Sequence, residues 1–202
     1  PDYVGVTVPA TIAPLNFSFP DETFDRVDVV VKGKKGNEIH VNGDAVSFSS
    51  SEWKSLLESN KGDSVLVTVC LKQNGNWKQY KSFPIYISQY PIDYGLVYRL
   101  VAPGYEVYSK MGIYQRELAS YKQTALYENT LVTGSCVNCH SFNKTNPDHS
   151  SLHLRGNNGA TYMNINGKAE FLNTKTDKTI GSFVYPYWHP SGKYVAYSVN
   201  KT

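Results

Sequence analysis

Ser64-Val65-Leu66-Val67-Thr68-Val69-Cys70-Leu71 is the stretch that decides the fold of the N-terminal part of this 202-residue chain. Apolar residues recur there with a period of two, which is typical of a half-buried strand. In this pattern Cys70 is a small, buried, structural side chain rather than a reactive thiol. Five further segments read as strands, at Tyr3 to Val8, Leu15 to Phe19, Arg26 to Val31, Glu38 to Val41 and Tyr80 to Ile87.

Turn residues separate these strands. Gly33-Lys34-Lys35-Gly36, Asn42-Gly43 and Asn74-Gly75 lie between them, and Asn-Gly is a strong hairpin signal because both residues tolerate positive φ. We therefore expect residues 1–90 to form an antiparallel, Ig-like β-sandwich. Trp53, Leu56 and Leu57 lie on one side of a short helix predicted from Glu52 to Glu58.

The apolar pattern changes after Pro91. Apolar and aromatic residues recur there at gaps of three and four, at Met111, Tyr114, Leu118, Tyr121 and Ala125. This spacing predicts a helix from about Ser109 to Asn129 with one apolar face. The segment 134–158 is rich in Ser, Asn, Gly, Pro and Asp, so we expect an irregular loop after the helix.

Strand periodicity returns at Thr161. Two hairpins are predicted, the first around Asn166-Gly167 and the second around His189-Pro190-Ser191-Gly192. The chain is thus mainly β in three segments: the sandwich (1–90), a helix and loop (91–160) and antiparallel strands (161–202). Because about forty residues bury too little apolar surface to fold alone, we expect the last segment to pack against the middle one.

Composition narrows the class of function. Hydrophobic residues make up 41% of the chain and charged residues 18%, with 16 tyrosines, which suits a β-rich extracytoplasmic protein. A formal net charge of +3 from scattered Lys and Arg does not form the basic stripe that nucleic acid requires. No apolar run is long enough to span a membrane. The start at Pro1 suggests that a signal or lipoprotein leader was removed.

Cys136-Val137-Asn138-Cys139-His140 is the motif that carries chemistry. In C-x-x-C-H, two thiols can bond the vinyl groups of one haem c while the adjacent imidazole binds the iron. The same residues can serve as part of a zinc site, as a disulfide or as a reduced dithiol. Haem attachment is the leading interpretation, and the other three stay open.

Both metal interpretations need further ligands. For haem, His140 is the proximal ligand and His153 the first candidate for the sixth position. The other candidates for that position are His149, His189, Met111 and Met163. For zinc, Cys136, Cys139, His149 and His153 form C-x2-C-x9-H-x3-H. No catalytic residue is predicted, because no acid–base partner is visible beside the motif.

Two groups of residues carry a family resemblance. The stretch 185–198, Tyr-Pro-Tyr-Trp-His-Pro-Ser-Gly-Lys-Tyr-Val-Ala-Tyr-Ser, resembles a blade of TolB-like, WD40-like propeller repeats. Ile92 to Leu100, Pro103-Gly104-Tyr105-Glu106, Cys136 to Phe142 and His153-Leu154-Arg155 add to the likeness. Together they resemble cell-envelope proteins of Bacteroidota, often lipid-anchored and sometimes labelled cytochrome c biosynthesis proteins.

The resemblance implies a periplasmic or cell-surface protein, lipid-anchored and so peripheral to the membrane, with a propeller that continues beyond its first blade. Our first functional hypothesis is a c-type haem module for electron transfer or redox sensing, with a redox or envelope protein as partner. The alternative is an envelope scaffold or glycan-interaction protein, in which C-x-x-C-H is a structural zinc or disulfide site and Tyr185, Tyr187 and Trp188 stack on sugars. An enzyme is the third choice.

Overall fold

The fold is mainly β. A computed structural model describes residues 2–101, 108–109, 111–157, 159–174 and 176–199, in which fifteen strands and one α-helix are found. The chain divides into two compact units, Pro1–Leu96 with Arg116–Lys122, and Val97–Gln115 with Gln123–Thr202. Of the segments that carry the family resemblance, Pro103-Gly104-Tyr105-Glu106 lies outside the described residues.

The first unit is built on one six-stranded sheet. Its strands are β1 (Thr7–Pro9), β2 (Arg26–Gly33), β3 (Ile39–Gly43), β4 (Ser64–Gln73), β5 (Asn76–Gln79) and β6 (Phe83–Ser88). The order is β1-β6-β4-β2-β3, with β5 paired to β4. All pairs are antiparallel except β1 with β6. β4 contains the sequence that decides the fold, and it lies centrally in the sheet.

The expected sandwich is corrected to a sheet covered by a helix. Helix α1 (Ser50–Ser59) buries Trp53, Leu56 and Leu57, and these side chains join the apolar face of the sheet in one core. The segment from Leu15 to Phe19 forms a single bridge, Phe17 to Val46, instead of a strand. A second sheet is not needed, because the helix and the aromatic residues around it already cover the apolar face.

The helix predicted from Ser109 to Asn129 is wrong. A three-stranded sheet with the order β7-β8-β9 contains this segment. Its strands are β7 (Gly95–Leu100), β8 (Gly112–Glu117) and β9 (Gln123–Glu128). The helical spacing is a coincidence across a turn, which Ser120 closes by donating to Glu117 and accepting from the Lys122 N–H. Tyrosines at 114 and 127 favour strands, which agrees with the observed state.

The loop expected over 134–158 is also replaced by strands. An antiparallel four-stranded sheet runs β10-β11-β12-β13. Its strands are β10 (Ser135–Asn143), β11 (Asn146–Gly156), β12 (Ala160–Ile165) and β13 (Lys168–Leu172). The last two strands, β14 (Phe183–Trp188) and β15 (Val195–Val199), form a separate hairpin. C-x-x-C-H therefore lies on a strand, and the described part of 161–202 packs against it as predicted.

The polar composition of this region wrongly predicted a loop. Polar side chains are accommodated in these strands because they form hydrogen bonds within the second unit. Ser135 and Ser151 are buried. The Ser135 hydroxyl donates to the Val132 carbonyl, and the Ser151 hydroxyl lies 2.8 Å from the Tyr197 hydroxyl. Lys144, with φ of 58°, makes the turn between β10 and β11. A segment rich in loop-forming residues thus forms a β-hairpin.

Candidate functional site

A β-bulge in β10 decides which way the motif faces. Cys136 pairs with Arg155, Val137 with Leu154, and Cys139 with His153, so the register shifts by one residue between Val137 and Cys139. Side chains alternate between the two faces of a strand, and an extra residue reverses that alternation. Cys136 and Cys139 therefore share one face, which we call the thiol face, although three positions would separate them in a regular strand.

Asn129 stabilises the bulge. Its side chain is fully buried, its Oδ1 accepts the Val137 N–H at 2.9 Å, and its Nδ2 donates to the Tyr108 carbonyl at 3.1 Å. β10 is an edge strand, so this N–H would otherwise lack a partner in the irregular ladder. The amide side chain takes the place of a neighbouring strand at this point.

Gly156 fixes the other end of the pairing. It pairs with Ser135 and has φ of 100°. A Cβ atom at this position would lie 1.9 Å from the Gly134 carbonyl oxygen. Only glycine permits both the backbone conformation and the close approach, and the position sets Arg155 opposite Cys136.

The two thiols differ in exposure. Cys136 is half-buried and Cys139 only 6% exposed. Both are free thiols. Each faces a basic residue on β11, since Arg155 is directly opposite Cys136 and His153 directly opposite Cys139. Directly paired side chains on one face have Cβ atoms about 4.5–5.5 Å apart, so thiols and basic side chains are immediate neighbours.

His153 has a defined tautomer. Its Nδ1 lies 3.0 Å from the Thr161 hydroxyl, which donates its only proton to the Phe183 carbonyl at 3.1 Å. Thr161 must then accept from Nδ1–H, and the neutral ring keeps its lone pair on Nε2. Burial, with a smaller contribution from the charge of Arg155, lowers the pKa of His153 and so favours this neutral form.

His140 faces the opposite side of β10. It pairs with Leu152, beside the cluster formed by Ile113, Val137 and Leu154. Burial lowers the pKa of His140, a hydrogen bond to the Val97 backbone opposes that shift, and the charge of Arg99 adds to it. The motif's imidazole is thus neutral but separated from the motif's thiols by the strand itself.

This geometry does not fit the expected haem. A c-type haem needs Cys136, Cys139 and His140 to reach a single macrocycle, and only the two thiols share a face. The thiol face is itself covered, because Thr161 bonds β14 and Ser151 bonds β15. The described conformation therefore holds the attachment thiols in place but not the proximal ligand.

The four-residue zinc set does not come together either. His149 and His153 are four residues apart on β11, which corresponds to about 13 Å along a strand. The H-x3-H spacing holds zinc when both imidazoles lie on adjacent helical turns. Both ring nitrogens of His149 already lie near amides, Nε2 at 2.9 Å from Asn166 Oδ1 and Nδ1 at 3.4 Å from Asn143 Nδ2. Within the described ranges, no three His, Cys, Asp or Glu side chains form a group able to hold a metal ion.

The remaining ligand candidates are dispersed. Met163 pairs with Ser151 on β12 and is half-buried, and Met111 precedes β8. His189 is exposed in the turn between β14 and β15, where its Nδ1 lies 2.8 Å from the Ser191 hydroxyl. His40 Nε2 lies 2.7 Å from Asp28 Oδ2 in the first unit.

Three residues of the site were not predicted: Asn129, Thr161 and Arg155. Periodicity gives no signal for the first two, since their roles arise from hydrogen bonds between separate strands. Arg155 lies over the ring of Tyr185 at 5.6 Å. Tyr185 and Tyr187 are exposed while Trp188 is buried, so the three aromatics proposed to stack on sugars do not form one surface.

Comparisons with protein-family models, curated proteins and solved structures find no match for this chain. In the part of the chain that the structure describes, no helix has the length and apolar character of a membrane span.

Proposed function

We propose that this chain is an extracytoplasmic redox module of a cell-envelope protein, and that the Cys136–Cys139 pair is itself the redox group. The observation that carries the proposal is the bulge, which places two free thiols of unequal exposure on one face of β10. An accessible thiol beside a buried one is the arrangement in which one sulfur attacks and the other resolves.

The chemistry is thiol–disulfide exchange. The Cys136 thiolate attacks one sulfur of a low-molecular-weight disulfide R–S–S–R, forming a mixed disulfide and releasing one thiolate RS⁻. The Cys139 thiolate then attacks Cys136 Sγ, which closes the intrachain disulfide and releases the second RS⁻. The two protons lost from the cysteines convert these leaving groups into two molecules of RSH, so the chain is oxidised by two electrons and R–S–S–R is reduced.

Closure requires a backbone adjustment in β10. The partners of the two cysteines on β11 are two residues apart, which corresponds to about 6.6 Å along a strand. Disulfides join Cα atoms about 4.4–6.8 Å apart and Cβ atoms about 3.5–4.5 Å apart, so closure must bring the two cysteines closer together than this spacing. The bulge is the element that absorbs the difference, because its extra residue is not held by the ladder.

The envelope setting rests on the architecture and on the resemblance. β10–β13 form a four-stranded antiparallel meander, as a propeller blade does, and β14–β15 begin another antiparallel unit. We propose that β10–β13 are one blade and that the stretch 185–198 belongs to the next. Disulfide exchange also suits an oxidising compartment such as the periplasm or cell surface.

The test is oxidation of the folded chain by bis(2-hydroxyethyl) disulfide, the disulfide of 2-mercaptoethanol. We expect the intact mass to fall by two hydrogen atoms, with peptide mapping joining Cys136 to Cys139. Cys136→Ser should stop the reaction, whereas Cys139→Ser should trap a mixed disulfide on Cys136. Cys70→Ala is the matched control and should react like the parent. If the parent forms no intrachain disulfide, the proposal is wrong.

A second candidate is covalent haem c on the same thiols, favoured by the full pentapeptide and by the shared face of Cys136 and Cys139. Production in a host with haem-attachment machinery would then give a mass gain and a Soret band that survive denaturation. Because His140 faces away in the described conformation, the haem form requires a rearranged β10. Loss of the colour on unfolding would contradict covalent attachment.

A further inference from the structure

We infer that Arg155 makes the thiol pair selective for negatively charged low-molecular-weight disulfides. The inference rests on the proposed thiol–disulfide function and names its substrate class. Arg155 is directly opposite Cys136, the more exposed of the two thiols, on the same face of the β10–β11 pair. The attacking sulfur therefore has a fixed positive charge beside it.

Among the described residues, no carboxylate forms an ion pair with Arg155. The ion pairs found among the described residues involve Lys32, Lys34, His40 and Lys61, all in the first unit. Arg155 instead lies 5.6 Å from the centre of the Tyr185 ring, where a guanidinium is attracted without loss of its charge. Its five N–H donors remain suited to a carboxylate or another planar anion.

Tyr185 is held in position by an unusual backbone. Its φ is 51°, it lies where the β14–β15 register shifts, and the residue is 57% exposed. Bulky residues rarely adopt positive φ, and such strain concentrates at functional positions. The ring restricts where the guanidinium of Arg155, the residue paired with Cys136, can lie.

Two effects of this charge increase the rate of exchange with an anion. Before reaction, it raises the local concentration of a negatively charged disulfide near Cys136. During reaction, it stabilises the negative charge shared by the three sulfurs in the transition state. The first effect depends on the charge of the reagent and on salt, whereas the second acts on all disulfides. A comparison of the rates of differently charged reagents therefore isolates the first effect.

The experiment compares the rates at which three disulfide reagents react with the folded chain in a Cys70→Ala background. The reagents are dianionic 5,5′-dithiobis(2-nitrobenzoate), neutral bis(2-hydroxyethyl) disulfide and cationic cystamine. Arg155→Gln should slow the dianionic reagent about fivefold at low salt, slow the neutral one less than twofold and not slow cystamine. Arg155→Lys should retain most of the preference. About 0.5 M salt should abolish it in the parent. Lys168→Gln, an exposed neutral substitution on β13, is the matched control.

Folding is checked by circular dichroism for each variant. Equal slowing of all three reagents by Arg155→Gln would overturn the inference, because it would mean that Arg155 acts through the structure of the strand pair. Equal slowing by Lys168→Gln would overturn it as well. If all reagents still close the Cys136–Cys139 disulfide without charge preference, the redox function stands and this inference fails. If none closes it, the redox function itself fails.

Discussion

The two units of the chain are stabilised in different ways. In the first, the buried residues form one continuous apolar core between the sheet and α1, which includes Trp53, Leu57 and Leu71. In the second, the hydrophobic cluster of buried residues found in the described part of the chain consists of Ile113, Val137 and Leu154. Among the described residues, the second unit buries seven polar residues, Asn129, Ser135, Asn143, Ser151, His153, Thr161 and Thr174, whereas the first buries Asn60.

This difference explains where chemistry is located. An apolar side chain in a core can pack against many different apolar neighbours, because dispersion and burial are not directional. A buried polar network is specific, because each donor and acceptor must keep its partner or incur the cost of desolvation. The thiol face belongs to the second kind. Its bulge, its histidine tautomer and its arginine are each fixed by a named hydrogen bond or ring contact.

The largest expected effect is in the apolar core. Leu57, in α1, is 0% exposed, and Leu57→Ala should lower the free energy of unfolding by about 3–4 kcal/mol through lost burial and the cavity left behind. Urea denaturation followed by circular dichroism measures the change. Lys54→Ala, on the exposed side of the same helix, is the control and should stay within about 0.5 kcal/mol of the parent. A loss below 1 kcal/mol for Leu57→Ala would contradict a continuous core.

The second-largest effect is expected in the second unit, where buried polar residues stabilise the structure. Asn129→Ala should cost about 2–3 kcal/mol, because it leaves the Val137 N–H without its partner and removes one of the two donors to the Tyr108 carbonyl. It should also alter the exchange rate of the Val137 amide, measured by hydrogen exchange. Thr130→Ala, at the exposed neighbouring position, is the control. A silent Asn129→Ala would mean that the bulge is fixed by the ladder alone.

Acid should affect the two units in different pH ranges. Burial lowers the pKa of His140 and His153, so the unfolded state binds their protons first as pH falls. Stability is full above the ordinary histidine pKa of about 6.5 and decreases below it, by at most about 1.4 kcal/mol per pH unit for each ring. His140→Phe should reduce the slope of stability between about pH 6.5 and 5. An unchanged slope would contradict a neutral buried His140.

The first unit should respond at lower pH. Burial alone would raise the pKa of Asp28, but hydrogen bonds from His40 and Asn42 outweigh it and lower that pKa. Asp28 thus contributes stability above the ordinary aspartate pKa of about 3.9, which is lost as pH falls through its lower folded value. Asp28→Asn should weaken the dependence of the free energy of unfolding on pH only below about pH 4. A weaker dependence near neutral pH instead would contradict the division between the two units.

The reliability of sequence reasoning follows the same division. Alternation in β4 predicted a half-buried strand, and one face is buried, because an uninterrupted strand has only two faces. Cys70, expected to be buried, lies on the other face and is half-buried. The helix over 109–129 failed because two strands and a turn happened to space Met111, Tyr114 and Leu118 like a helical face. The C-x-x-C-H motif was found, but its direction was not, since the bulge depends on Asn129 reaching across from another part of the chain. Hydrogen bonds of this kind leave no periodic signal.

The smallest effect concerns the third cysteine. Cys70 lies in the regular strand β4, and burial, together with the charge of Asp28, raises the pKa of its thiol. A thiol that stays protonated reacts slowly, because the thiolate is the nucleophile. Iodoacetamide near neutral pH should therefore alkylate Cys70 more slowly in folded than in unfolded chain, as mass mapping would show. Cys70→Ala should change stability by less than about 1 kcal/mol. Rapid labelling of folded Cys70 would show that alternation alone does not make a cysteine inert, and Asp28→Asn is the variant that then separates the influence of charge from that of burial.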